Sequence, residues 1–172
     1  MGMDVYGKNA SADVGEYFRN NVWWWRPLWQ FCEIAAPSIC SQVKNAQTND
    51  GDGLDAEDAT ELAVILEGLI ESGAVEEYEI LRNEELARLP RHECKYCGGT
   101  GVRRDRVGVD MGMPTQALEP AIAIITGRTH GTCNACRGEG MIDDIETSYA
   151  FSVENVADFA IFLRHSGGFS IC

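Results

Sequence analysis

The chain has 172 residues, 45% of them hydrophobic, and a net charge of −13, which is apolar enough for a packed core and excludes a disordered polyelectrolyte. Its longest strongly apolar stretches, around "AIAII" and "AVILEGLI", are too short for a bilayer core of about 30 Å, and the first twenty residues hold neither a signal-peptide run nor a myristoylation pattern, so a soluble cytoplasmic protein is expected. From Asp50 to Arg88 thirteen acidic residues face only Arg82 and Arg88, a balance of −11, whereas Arg91 to Gly140 stands at +2, a locally basic module on an acidic body.

After an extended start, "WRPLWQFCEIAAP" predicts a helix with Pro27 at its first position and Trp25, Leu28, Trp29 and Cys32 on one face, ended or kinked at Pro37. Within it "VWWWRPLW" sets three large rings side by side. Successive helical residues point about 100° apart, so Trp23, Trp24 and Trp25 cannot all face the same way. Core packing is one role for the cluster; a partner-binding hot spot with Arg26 beside it is the other, and Tyr17 and Phe18 would enlarge either.

"GLDAEDATELAVILEGLIESG" predicts the clearest helix, capped by Asp55 and ending before Gly73. Leu62, Ile65, Leu66, Leu69 and Ile70 form its buried stripe, with Glu61, Glu67 and Glu71 toward water. The preceding "TNDGDGLDAED" does not make a calcium loop: with Gly53 at the sixth position, Thr48 and Ala59 occupy the first and twelfth, where anchoring ligands belong. A further helix runs through "VEEYEILRNEELARL" to Pro90.

A metal module follows over residues 91–141. "GVRRDRVGVDMG" and "GMIDDIETSYAFS" alternate as strands do and are expected to form a β-ribbon, while "MPTQALEPAIAIITG" reads as a loop with one short helix. "SVENVADFAIFLRHSGG" predicts a last helix, capped by Ser152, apolar along Val156, Phe159, Ala160 and Leu163, and ended by Gly167. That face needs a partner, and the N-terminal helices are the expected one. The predicted fold is α+β, a helical body with an inserted zinc-binding β-ribbon module: helical over 1–90, metal-binding over 91–141, then a strand and C-terminal helix over 142–172 closing back into one compact fold.

Four of the seven cysteines lie in two octets, "CKYCGGTG" (94–101) and "CNACRGEG" (133–140), both CxxCxGxG. An odd count in paired CxxC spacing favours metal over a disulfide framework. One CxxC bend offers two thiolates to an ion, and two bends complete a tetrahedron. Gly99, Gly101, Gly138 and Gly140 stand at matching offsets, where the chain folds back with amides toward sulfur, often at positive φ.

The octets resemble the cysteine-rich zinc domain of DnaJ-type co-chaperones, in which four such repeats build two zinc sites. Two repeats here imply one Zn2+ held by Cys94, Cys97, Cys133 and Cys136. The resemblance is confined to 94–140, and the chain has no His-Pro-Asp tripeptide, so co-chaperone activity is not implied. "MGMDVYG", "YFRNNVWWWRPLW" and "FSVENVADFAIFLRHSGGF" resemble a family of small bacterial and phage proteins along the whole chain, a kinship that carries no activity.

A closed four-thiolate zinc site holds a fold, whereas catalytic zinc keeps one position open for water. Redox use of CxxC needs a thiolate at a helix N-terminus, which the glycines oppose. His92 and His130 lie close to the knuckles and are expected outside the ligand set. Arg103, Arg104 and Arg106, with Arg128 and Arg137 nearby, suit phosphates, an acidic protein or plain solvent. Cys32 and Cys40 fit an apolar interior; Cys172 has no assigned role. No P-loop, dinucleotide fingerprint or nucleophile elbow is present. The expected protein is therefore a non-enzymatic, zinc-binding interaction or regulatory protein with an unknown protein partner and no membrane contact. The alternative is nucleic-acid binding through the basic zinc ribbon.

Overall fold

A hairpin opens the chain: β1 (Gly2–Gly7) pairs antiparallel with β2 (Tyr17–Asn21), in a register from Gly2↔Asn21 to Tyr6↔Tyr17. Asn21 ends the strand and starts α1 (Val22–Ala35), its side chain accepting from the amides of Trp23 and Trp24 at 2.9 and 3.2 Å. The helix thus begins five residues before Pro27, not at it. A capping asparagine supplies the start that proline was expected to mark, and Pro27 lies buried in the second turn. Trp25, Leu28, Trp29 and Cys32 form the expected inward face, all fully buried. Pro37 opens the short α2 (Pro37–Cys40).

Asp55 caps α3 (Ala56–Glu71) through the Glu57 and Asp58 amides, both at 3.0 Å, and α4 (Ala74–Ala87) follows across Gly73. Leu62 and Leu66 are fully buried, with Ile65, Leu69 and Ile70 half-buried around them. Glu61 and Glu71 face water as expected, but Glu67 does not stand alone: it forms a two-point ion pair with Arg164.

The next segment departs most from expectation. Its strands are only β3 (His92–Glu93) and β4 (Met141–Ile142), paired His92↔Ile142 and Glu93↔Met141. The outgoing arm is not a strand: Asp105 caps α5 (Arg106–Asp110) by accepting from Gly108 N at 2.8 Å, so a local cap overrides the alternation. The loop does carry one short helix, α6 (Pro120–Thr126). After β4 the chain forms a 3-10 turn, Ile145–Ser148, where a strand was expected.

Ser152 caps α7 (Val153–Ser166), which packs along α3, and β5 (Phe169–Ile171) adds antiparallel to β1 to give the sheet order β2-β1-β5. The computed structural model describes residues 2–172, which divide into two compact units: residues up to Ala87 with Ser148–Cys172, and Arg88–Thr147 between them in the chain.

The first unit owns a continuous core. Trp25 stacks on Trp29 at 5.6 Å and meets Phe159 edge-on at 5.6 Å, while Phe169 closes the cluster against Trp29 and Phe162. Cys32 and Cys40 are buried there, and burial pushes both thiols up, Cys40 to about 12. They are packing residues. Among the described residues no helix is long and apolar enough to cross a membrane.

Candidate metal centre

Both octets fold into the same bend. In the first, Cys97 N and Gly98 N turn back onto the Cys94 carbonyl at 3.1 and 2.8 Å, and Gly101 N donates to Cys97 Sγ at 3.2 Å. In the second, Gly138 N reaches the Cys133 carbonyl and Gly140 N donates to Cys136 Sγ, both at 3.2 Å. The expectation that the glycines aim amides at sulfur holds at Gly101 and Gly140. Their necessity has a second source: a Cβ on Gly101 would stand 2.2 Å from the Gly138 carbonyl oxygen, and one on Gly140 equally close to that of Gly99. Each knuckle seats its last glycine on the other's backbone. Gly98 takes φ +54°, and its counterpart Arg137 is held at φ +51°, a left-handed conformation that costs a non-glycine residue about 1 kcal/mol or more.

The bends bring four sulfurs together. Cys94 Sγ lies 3.9 Å from Cys133 Sγ, Cys97 Sγ lies 3.7 Å from Cys136 Sγ, and all four fall within 4.8 Å of one another. These separations are far beyond a disulfide bond of about 2.05 Å. They match instead the edge of a tetrahedron with metal–sulfur arms of about 2.3 Å, which is about 3.8 Å. Cys94, Cys133 and Cys136 are buried and Cys97 is half-buried. The donor set and its geometry therefore fit a metal ion. His92 and His130 stand outside it on the surface, His92 Nε2 lying 2.7 Å from Asp144.

The clustered thiols influence one another's titration. At Cys94, Cys97 and Cys133 burial is the largest influence and pushes the thiol up; at Cys94 the Tyr96 amide and the Cys97 and Cys133 thiols outweigh it and bring the group below its ordinary 9.0. Cys97 is pushed up to about 12, against the lowering effect of the Gly101 amide, and Cys133 is also raised. Both carry protons at neutral pH, which a cation must displace. Metal binding at pH 7 is accordingly expected to release two or more protons per ion and to weaken as pH falls, because protons then compete for sulfur. Calorimetry in buffers of different ionisation enthalpy reads the number directly; a heat independent of buffer would refute it.

Of the arginines expected as candidate binding residues, Arg103 is engaged within this unit, whereas Arg104 and Arg106 lie at its surface. Arg103 is mostly covered, pairs with Asp105 at 2.8 Å, reaches Asn134 of the second knuckle at 3.1 Å and lies over the Tyr96 ring of the first. Arg106 faces Asp110 at 3.9 Å, and Arg104 is exposed. Arg128, expected among the residues that suit phosphates or an acidic protein, has a different place. It donates to the carbonyls of Thr100 and Gly138, tying the knuckles together from within the 102–132 insertion. No spacing in the sequence marks that role, because its partners are backbone oxygens.

The tryptophan run also separates. Trp25 is 0% exposed and cannot serve as a hot spot, Trp24 is half-buried, and Trp23 is 40% exposed and packs on Tyr149, to which Arg26 also donates at 2.7 Å. The insertion adds apolar surface that composition did not reveal: α6 buries none of its residues, leaving Ile124 and Ile125 83% and 77% exposed.

No protein-family profile, curated protein or solved structure matches the chain.

Proposed function

We propose that this is a zinc-binding, non-enzymatic protein that acts by contact with other proteins. The observation that carries the reading is the four-sulfur cluster, whose edges have the length of a closed tetrathiolate site. Four sulfurs leave no position for a reacting water. Cys94, Cys97, Cys133 and Cys136 would hold the ion, whose contribution is charge and geometry that join two distant bends. The CxxCxGxG octets, similar to those of DnaJ-type zinc domains, favour zinc over other ions.

Contact with proteins is favoured by the surface. Trp23 with Arg26, and Ile124 with Ile125, present apolar groups that a monomer gains nothing by exposing. Nucleic-acid binding is less well supported, since Arg103 and Arg128 are spent on internal partners and the chain is strongly acidic.

Protein purified without added metal is expected to contain one zinc per chain by elemental analysis, and Cys133→Ser to lose most of it. A metal-free native protein that still melts cooperatively in both units would overturn the reading. Pulldown from the native host with Trp23→Ala as comparison tests the contact itself, and an electrophoretic shift at low salt should show no nucleic-acid binding.

A further inference from the structure

The first unit contains a groove at the meeting of three helices, in which Ile70 ends α3, Val153 begins α7, and Glu76, Glu79, Ile80 and Asn83 come from α4. Those four α4 residues are spaced at three- and four-residue steps and so form one stripe. The cavity measures about 410 Å³, within the range of about 300–1,000 Å³ usual for binding clefts. Its apolar residues are Ile70, Ile80 and Val153, and Ile80 is 53% exposed.

α4 is an odd helix to leave so bare. Of its fourteen residues only Val75 is buried, with Tyr78 packed on Phe31 and Phe151, both at 4.9 Å. The groove stripe lies beyond those contacts, and Glu79 is fixed at its edge by accepting from Val153 N at 2.9 Å.

Charge identifies the occupant. Ala56–Ala87 carries ten acidic residues and one base, Arg82, whose guanidinium donates to the Tyr149 carbonyl. Phosphates and anionic lipid surfaces are repelled by such a field, and a cation is drawn in. The groove walls are helices and offer no free strand edge, so helix-in-groove packing is the mode that fits. We propose that the α3–α4–α7 groove receives a basic amphipathic helix of a partner protein, its apolar face on Ile70, Ile80 and Val153 and its Lys or Arg side chains beside Glu76 and Glu79. The inference rests on the reading of this chain as an interaction protein and supplies the chemistry of the partner.

The test uses the metal-loaded full chain and a labelled amphipathic helix of about 15 Leu and Lys residues, long enough to hold helical structure, read by fluorescence polarisation. Binding is expected to weaken about tenfold on Ile80→Asn and on Glu76→Lys, to weaken as strongly when serines replace the peptide's leucines, and to change less than twofold on Glu61→Lys. It should fall with salt, because Glu76 on the rim is exposed. Methyl NMR of the unaltered protein should shift Ile70, Ile80 and Val153, a readout independent of whether any variant folds. Equal binding of the Ser/Lys peptide, methyl shifts confined to other residues, or no binding at all would each overturn the groove assignment. The interaction reading is judged separately, by the Trp23→Ala pulldown, so the two fail independently.

Discussion

Removing the proposed zinc with a chelator is expected to unfold Arg88–Thr147 while the other unit keeps its own structure. The reason is what each unit has for a core. Residues up to Ala87 with Ser148–Cys172 bury a continuous apolar cluster from Met3 to Ile171. In Arg88–Thr147 the cluster of buried residues is Cys94, Cys133 and Cys136, with Cys97 and Ile142 packed on it. The four cysteines make that cluster, with only Val102 and Met113 of the unit's other described hydrophobic residues buried apart from it. A structural zinc site is worth about 10–16 kcal/mol in apparent terms, against a total stability of about 5–15 kcal/mol for a whole domain. Two strands of two residues and the Arg128 hydrogen bonds cannot replace it. Hydrogen exchange with and without chelator at pH 7 should show protection lost across 88–147 and retained in α1, α3 and α7. Persistent protection around the two octets in metal-free protein would defeat the expectation.

Trp25→Ala and Trp23→Ala should differ by several kcal/mol although the residues are two positions apart. Trp25 is fully buried, touches Trp29 and Phe159, and donates from Nε1 to the Ala46 carbonyl at 2.6 Å. Truncation leaves a cavity costing about 3–5 kcal/mol, with about 1–3 kcal/mol more where the Ala46 carbonyl stays unpaired. That is a large share of a domain's stability, and a strongly lowered denaturation midpoint with unchanged m-value should report it. Trp23 is 40% exposed and pairs with the Tyr149 ring, a contact worth about 0.5–1.5 kcal/mol beyond the area it covers. Equal destabilisation by both would show that the Trp23 ring belongs to the core.

Local patterns explain which features were legible. Asp55 and Ser152 cap the helices they precede because a short polar side chain beside its own amides needs no distant partner. The inward face of α1 and the stripe of α3 follow from helical spacing alone. Pro27 misled because it competes with a better start signal six residues earlier, Asn21, which the run of tryptophans obscured. The arm after the first knuckle misled because Asp105 caps α5 within an alternating stretch. Beyond the local Arg103–Asp105 pair, the partners of Arg103 and Arg128, Asn134 and the Thr100 and Gly138 carbonyls, are met only once both knuckles are folded.

The sequence by itself determined the four candidate metal ligands, their glycine-laced bends and the inward faces of α1, α3 and α7, since each depends on spacing within one turn or one octet. The tertiary structure alone decided that β5 closes the sheet against β1, that Trp25 goes inward while Trp23 stays out, that Arg128 clasps the knuckles, and that α3, α4 and α7 enclose an acidic groove. Those are meetings of residues far apart in the chain, and no local propensity encodes a partner that only packing brings near.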